Sequence, residues 1–264
     1  MDKITSRENP LIKRAVKLAT SSKHRRAEEC FFVEGARLCL DAVRSGTPIE
    51  LLLYTRRGSD RYPEAVETLR EAAAKSVEVD EKIMATLADT ETPQGIACLC
   101  KMLDKIGGAG TIKKNGRYLA LENIQDPANL GTTLRTAEAL GIDGVLLSRG
   151  CCDRYSPKVL RGSMGAVFRL FIKEEEEFPA ALRRMGQEGF CTYAAVPAAD
   201  AVPVTAAQFG PKTVVAVGNE GNGLTETAVA ACAARVTIPM LGRAESLNAA
   251  TAAAILMWEM MRRG

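Results

Sequence analysis

Val214-Val215-Ala216-Val217-Gly218-Asn219-Glu220-Gly221-Asn222-Gly223-Leu224 runs from an unbroken apolar tetrapeptide into a polar, glycine-rich turn. A short strand that is apolar at every position has both faces covered, as in a parallel sheet between helices. In such sheets ligands bind beyond the carboxyl ends of the strands, where this turn lies. Gly218, Gly221 and Gly223 flank one carboxylate, Glu220, within six residues. Glycine permits positive φ and lets backbone approach a ligand closely. The plainer alternative is a tight strand-to-helix turn with Thr225 as N-cap. The spacing is neither G-x-G-x-x-G nor a P-loop, and no such motif occurs elsewhere, so a phosphate cradle is unsupported.

Two further polar loops stand in the same relation to an apolar strand. Tyr118–Leu121 leads into Glu122-Asn123-Ile124-Gln125-Asp126-Pro127-Ala128-Asn129 and then a helix over Leu130–Leu140 that carries Arg135. Asn129 suits a helix N-cap, or it reaches into a site beside Gly131. A guanidinium near that helix end can grip a phosphate bidentately, although an arginine on an exposed helix is equally a solvated one. Arg235–Ile238 leads through Pro239-Met240-Leu241-Gly242 to Ser246-Leu247-Asn248 and a helix over Ser246–Arg262. There Ser246 suits the N-cap and Asn248 the first turn. Gly144–Ser148 and Cys191–Val196 read as further strands, and Pro179–Glu188 and Thr225–Ala234 as helices. Glu174-Glu175-Glu176-Glu177 reads as a solvated loop or helix start. These elements define an α/β domain over residues 117–264.

Upstream, residues 102–116 include Gly107-Gly108-Ala109-Gly110 and Lys113-Lys114-Asn115-Gly116, poor in large apolar side chains, and read as a linker. Residues 1–101 alternate again: strands at Phe31–Gly35, Ile49–Tyr54 and Gly95–Cys100, and helices over Ala36–Ser45 and Pro63–Lys75, imply a small second α/β domain. Phe31 and Phe32 suit core packing or base stacking. Of the chain's net charge of +3, residues 1–26 alone contribute +6 and the rest sum to −3. A basic start of this kind can steer the chain to a polyanion, through Lys13, Arg14, Lys17, Arg25 and Arg26, or simply form a solvated helical face. His24 is the one histidine of 264 residues, which excludes most histidine triads and multi-histidine metal sites. The eight cysteines form no C-x-x-C pair and read as reduced and structural. No apolar run approaches the roughly 20 residues that span a bilayer, and the first residues open no signal core, so a soluble, cytoplasmic protein is expected.

Together, Asn129-x-Gly131-x-x-x-Arg135, Gly218-Asn219-Glu220-Gly221-x-Gly223-Leu224 and Ile238-Pro239-Met240-x-Gly242 followed by Ser246-Leu247-Asn248 resemble, in order and spacing, the SpoU (TrmH-like) branch of the SPOUT RNA methyltransferases. Arg161-Gly162-Ser163-Met164-Gly165-Ala166-Val167-Phe168-Arg169 is similar to the family's stretch between its first two motifs. Ile4-Thr5-Ser6-x-x-Asn9-Pro10 and Phe31-Phe32-Val33-Glu34-Gly35-Ala36-Arg37 are similar to the N-terminal substrate-binding domain, like a small ribosomal protein, that many members carry. The resemblance implies a parallel sheet with a C-terminal trefoil knot, a homodimer, and S-adenosylmethionine as cofactor. It implies cofactor contacts at Gly218, Asn219, Gly223, Ile238, Met240, Gly242 and Leu247. Arg135 matches the family's catalytic arginine, with Asn129, Glu220, Ser246 and Asn248 orienting it and the ribose. A guanidinium is a poor base, with a pKa above about 12, so a positioning and charge-stabilising role is expected of Arg135, with a base role left open. No metal is required. The expected reaction is 2′-O-methylation of RNA, ribosomal rather than transfer RNA on the strength of the N-terminal domain. A transfer-RNA enzyme, a base methyltransferase, a non-catalytic RNA-binding protein with the same fold and an unrelated nucleotide-binding enzyme are the competing readings. Methyl transfer to bulk RNA, its digestion to nucleosides, and binding of S-adenosylmethionine against ATP separate them.

Overall fold

A computed structural model describes residues 3–105 and 111–262. The central part of the expected linker, residues 106–110, lies outside the described residues. The chain forms two compact units: Met1–Ala109 with Asp153–Arg169, and Gly110–Cys152 with Leu170–Gly264.

In the first unit the elements are α1 (Pro10–Thr20), α2 (Ser22–Glu28), β1 (Cys30–Glu34), α3 (Ala36–Arg44), β2 (Ile49–Tyr54), α4 (Arg56–Arg61), α5 (Pro63–Ala72), β3 (Ser76–Glu78), α6 (Glu81–Leu87) and β4 (Ile96–Lys101). The sheet runs β1-β4-β2-β3, with β4 antiparallel to both neighbours and β3 parallel to β2. Asn9 accepts from the Leu11 N–H at 2.9 Å and Pro10 opens α1, an entry that needs no N–H from proline. Ile12, Ala15 and Leu18 then turn one face of α1 into the core with Phe32, Leu53 and Leu99. Phe31 and Phe32 are fully buried, so they pack the core and do not stack on bases.

Two of the cations expected to meet RNA are structural instead. The Arg25 side chain is only 4% exposed, pairs with Asp153 at 2.7 Å and donates to the Leu18 carbonyl at 2.7 Å. Arg14 bridges Glu28 at 2.5 Å and Glu50 at 2.7 Å. Buried guanidinium must be paired to offset its lost hydration, and these partners lie far along the chain. Lys13, Lys17 and Arg26 are exposed.

Asp153–Arg169, which sequence assigns to the C-terminal domain, packs within the first unit. Its α8 (Pro157–Ser163) and α9 (Ala166–Arg169) follow Asp153-Arg154-Tyr155. The Tyr155 ring lies 4.5 Å from that of Phe31, and its hydroxyl donates to Asp104 at 2.7 Å. Long-range pairing of this kind overrides position in the chain.

The second unit is built from β5 (Gly116–Leu121), α7 (Pro127–Ala139), β6 (Gly144–Ser148), β7 (Phe171–Glu175), α10 (Phe178–Gln187), β8 (Cys191–Ala195), β9 (Val202–Pro203), β10 (Lys212–Val217), α11 (Glu226–Ala230), β11 (Ala234–Thr237) and α12 (Ala249–Arg262). Its sheet has seven strands in the order β7-β6-β5-β10-β8-β11-β9, and every pairing is parallel. The apolar run Val214–Val217 is thus the middle of a sheet covered on both faces, with Tyr118, Val214, Ala216, Phe178 and Leu182 in one core.

The acidic run departs from its expected reading. Glu174 and Glu175 end the edge strand β7, and Glu175 is buried between Lys173 and Arg184, both at 2.8 Å. The helix expected over Thr225–Ala234 is only the five residues of α11.

Candidate functional site

The three polar loops leave strands β5, β10 and β11, of which β5 and β10 are neighbours and β11 is separated from β10 by β8, and meet at one end of the second unit's sheet. What each side chain can do is decided first by helix capping. Asp126, not Asn129, caps α7, accepting from Ala128 N–H at 2.9 Å. That frees the Asn129 amide. Asn248, not Ser246, caps α12, its Oδ1 accepting from Ala250 N–H at 2.9 Å and Thr251 N–H at 3.2 Å. Thr225 caps α11, the role it has in the plainer reading of the turn.

With its oxygen on α12, Asn248 must present its amino group outward, and it donates to Asn129 Oδ1 at 2.9 Å. The amino group of Asn129 then donates to Glu220 Oε1 at 2.9 Å. Three residues from three loops are therefore joined in one directed chain. Charge-assisted bonds to a carboxylate are the stronger kind, so the chain ends on its strongest acceptor.

The glycine-rich turn is shaped by its own backbone. Asn219 and Gly223 exchange two backbone hydrogen bonds, both at 3.0 Å. A side chain at Gly218 would run into the Gly223 carbonyl group and the Leu224 nitrogen. Gly223 has φ +68°, which suits glycine. Two ties that sequence did not suggest hold the turn to β5. Buried Glu122 accepts from the Thr225 N–H and hydroxyl, both at 2.8 Å, and the Asn219 amide donates to the Asn123 carbonyl at 2.7 Å. Asn123 itself sits at φ +56°, a left-handed conformation that asparagine tolerates. Glu122 and Asn123 stood in the quoted loop, but their partners are 103 and 96 residues away.

Beside the turn is a pocket of about 350 Å³, within the range of small-ligand sites. Gly218, Asn219, Glu220, Gly223, Ile238, Met240, Ser246 and Leu247 line it, as does an apolar wall that sequence missed, including Ala195, Val196 and Leu256. The backbone N–H groups of Ile238, Met240 and Leu247 donate no hydrogen bond among the described residues, although such groups require partners when buried. A largely apolar pocket with unpartnered backbone donors among the described residues fits a heterocycle such as adenine. Asn129 and Asn248 reach the pocket only through Glu220. Gly242 is outside the lining and has open space around it.

Arg135 stands apart. It lies six residues past Asn129, about 9 Å along the helix and on another face. It is exposed, with no hydrogen bond or ion pair among the described residues. No cluster of side chains suited to a metal ion is found among the described residues.

Residues 116–258 match the SpoU rRNA Methylase family, and residues 9–98 match the MRM3-like substrate binding domain. The 23S rRNA (guanosine(2553)-2′-O)-methyltransferase of Bacillus subtilis is 31% identical over 98% of this chain and 99% of its own. A crystal structure of an RNA 2′-O ribose methyltransferase is 32% identical, covers 99% of both chains and superposes with a TM-score of 0.83. The AdoMet-bound rRNA methyltransferase from Sinorhizobium meliloti is 29% identical, covers 99% of this chain and 97% of its own, and superposes with a TM-score of 0.87.

Proposed function

The chain belongs to the SpoU rRNA methylase family, and from that premise we propose that it transfers the methyl group of S-adenosylmethionine to a ribose 2′-hydroxyl of ribosomal RNA. The observation that carries this reading is the pocket at the strand ends with the Asn248–Asn129–Glu220 chain at its rim.

Bound S-adenosylmethionine supplies a methyl already activated on a sulfonium, so in-line placement of the hydroxyl accounts for much of the rate. Ala195, Val217, Met240 and Leu247 offer the apolar walls for its adenine. The free N–H groups of Ile238, Met240 and Leu247 offer donors to its edge. Glu220, pinned by Asn129, orients the ribose, and Ser246 lies exposed at the same rim. Arg135 stands apart from this pocket and, exposed, is left to bind the RNA phosphate and so to position the ribose.

Residues 1–101, joined by Asp153–Arg169, are the RNA substrate-binding domain in this reading, 102–116 the linker and the rest of 117–264 the catalytic domain. Exposed Lys13, Lys17 and Arg26 meet phosphates, which makes binding salt-sensitive. The C-terminal chain is knotted. This is supported by the insertion of β10 between β5 and β8 and by the return of α12 onto α7, β5 and β10. The protein is a homodimer in the cytoplasm. Trp258, 56% exposed on α12 beside α7, is a large apolar surface for a second copy to cover. Sedimentation should give a dimer for the parent and a monomer for Trp258→Glu; a monomeric parent removes the dimer.

The deciding experiment is transfer of labelled methyl from S-adenosylmethionine to ribosomal RNA, followed by digestion to nucleosides. Label should sit on the ribose. Arg135→Ala should lower the rate about a hundredfold or more with cofactor affinity within about twofold. Label on a base, or equal rates for variant and parent, overturns the reading.

A further inference from the structure

Asn219 belongs to the same turn as Glu220, and all four hydrogen-bonding valences of its amide are occupied within the protein. Its Oδ1 accepts from the Gly221 N–H at 2.8 Å and the Asn222 N–H at 3.2 Å. Its Nδ2 donates to the Asn123 carbonyl at 2.7 Å and to Glu220 Oε2 at 3.3 Å. The amide has no freedom to flip. Reversal would set its oxygen against the Asn123 carbonyl and its amino group against two N–H donors. Nothing in this inventory is left over for a ligand, so the residue's part in the pocket is not a polar contact with the cofactor.

What it does hold is Glu220. One carboxylate oxygen receives Asn129 and the other receives Asn219. Each of these amides is in turn oriented from its far end by backbone N–H groups: those of Ala250 and Thr251 through Asn248, and those of Gly221 and Asn222 directly. The carboxylate is exposed and has no ion-pair partner among the described residues. We infer that Asn219 is a positioning residue of the methyl-transfer reaction. It acts through Glu220 as the second arm of a clamp whose first arm is Asn129, so that the carboxylate meets the incoming ribose already oriented. The inference rests on the methyltransferase reading for its reaction and on the hydrogen bonds above for its geometry.

Two substitutions separate positioning from mere support of the turn. Asn219→Asp keeps an oxygen for the Gly221 and Asn222 N–H groups but replaces the donor facing Glu220 with a like charge. Asn219→Ser keeps a shorter acceptor for the same turn and removes the donor without adding charge. For both, kcat should fall, by about a hundredfold for Asp, as expected for a misplaced group near the reacting atoms. Both variants also give up the bond to the Asn123 carbonyl, so the thermal midpoint should fall slightly, and equally in the Glu220→Ala background, while the affinity for S-adenosylmethionine, measured without RNA, stays close to the parent's. In a Glu220→Ala background the same changes should add almost nothing to the loss in kcat, because residues acting as a unit are not additive. An unchanged kcat, a loss that appears only as weaker cofactor binding or a lower thermal midpoint, or a full additional loss on top of Glu220→Ala overturns the assignment.

A crystal structure of Asn219→Ser gives a readout that needs no activity. Glu220 should leave its place or adopt several rotamers while the backbone of residues 218–223 stays put, and an undisturbed Glu220 overturns the assignment. A parent protein that fails to methylate RNA would instead remove the methyltransferase reading, with the Glu220 geometry still deciding the role of Asn219.

Discussion

Position 218 requires glycine before any ligand is considered. The Gly223 carbonyl and Leu224 nitrogen already fill the space a Cβ would take. Gly218→Ala therefore displaces the whole turn over residues 219–223, not one wall of the pocket. Overpacking of this kind costs on the order of 1–3 kcal/mol, and the displaced residues line the pocket. Isothermal titration should show S-adenosylmethionine affinity reduced about tenfold or more; unchanged affinity would detach this turn from the cofactor. The same residue-level logic sorts the amides. Asn129 is available to Glu220 only because Asp126 has taken the cap, and Asn248 points its amino group at Asn129 only because its oxygen is on α12. Side-chain chemistry here is set by which backbone groups need partners.

At the scale of elements, the first unit ties its helices to its sheet with charge. Arg14 of α1 and Lys101 of β4 both reach Glu50 of β2, at 2.7 Å and 2.6 Å. Partial burial opposes ionisation of Glu50, but these two hydrogen bonds outweigh it and hold the group below the usual carboxylate range. Asp104 is likewise lowered: burial opposes ionisation there, and the Tyr155 hydroxyl and the Arg154 charge overcome it. A carboxylate whose folded pKa is depressed contributes stability above its unfolded value, near 4, and loses it as pH falls through the folded value. Urea midpoints should accordingly be level near neutrality and drop below about pH 4. Glu50→Gln should flatten that acid limb, and an unaltered pH slope in the variant would exclude the network as its source. In the same sheet, burial raises the thiols Cys98 and Cys100 well above their ordinary range. Such thiols are inert, in keeping with reduced, structural cysteines.

Across the whole molecule the chain passes between its two units more than once, because Asp153–Arg169 belongs with the first. The segment supplies Asp153 to the buried Arg25 and Tyr155 to Phe31. Removing one partner of a buried pair leaves an uncompensated charge, at about 3–5 kcal/mol. Asp153→Ala should fall near the lower end, since Arg25 keeps its bond to the Leu18 carbonyl. Chemical denaturation followed in the first unit tests this, and a loss under about 1 kcal/mol, the scale of an exposed pair, would mean the segment is not integral to that unit.

Sequence by itself determined the central strands, though not β3, β7 or β9, together with the three loops at their carboxyl ends and the residue types those loops carry. Apolar runs, glycine turns and caps are local signals, and local backbone preference decides them. Val214–Val217 and Gly144–Ser148 are strands as read. Only tertiary structure decided which residues those loops join. Glu220 finds Asn129 across 91 residues, and Asn248 finds Asn129 across 119. Tertiary structure alone also buried Arg25 in an ion pair and paired half-buried Arg14 while leaving Arg135 exposed. An arginine reads alike in sequence whether it ends buried or solvated, because the partner that decides between them is brought up by distant chain.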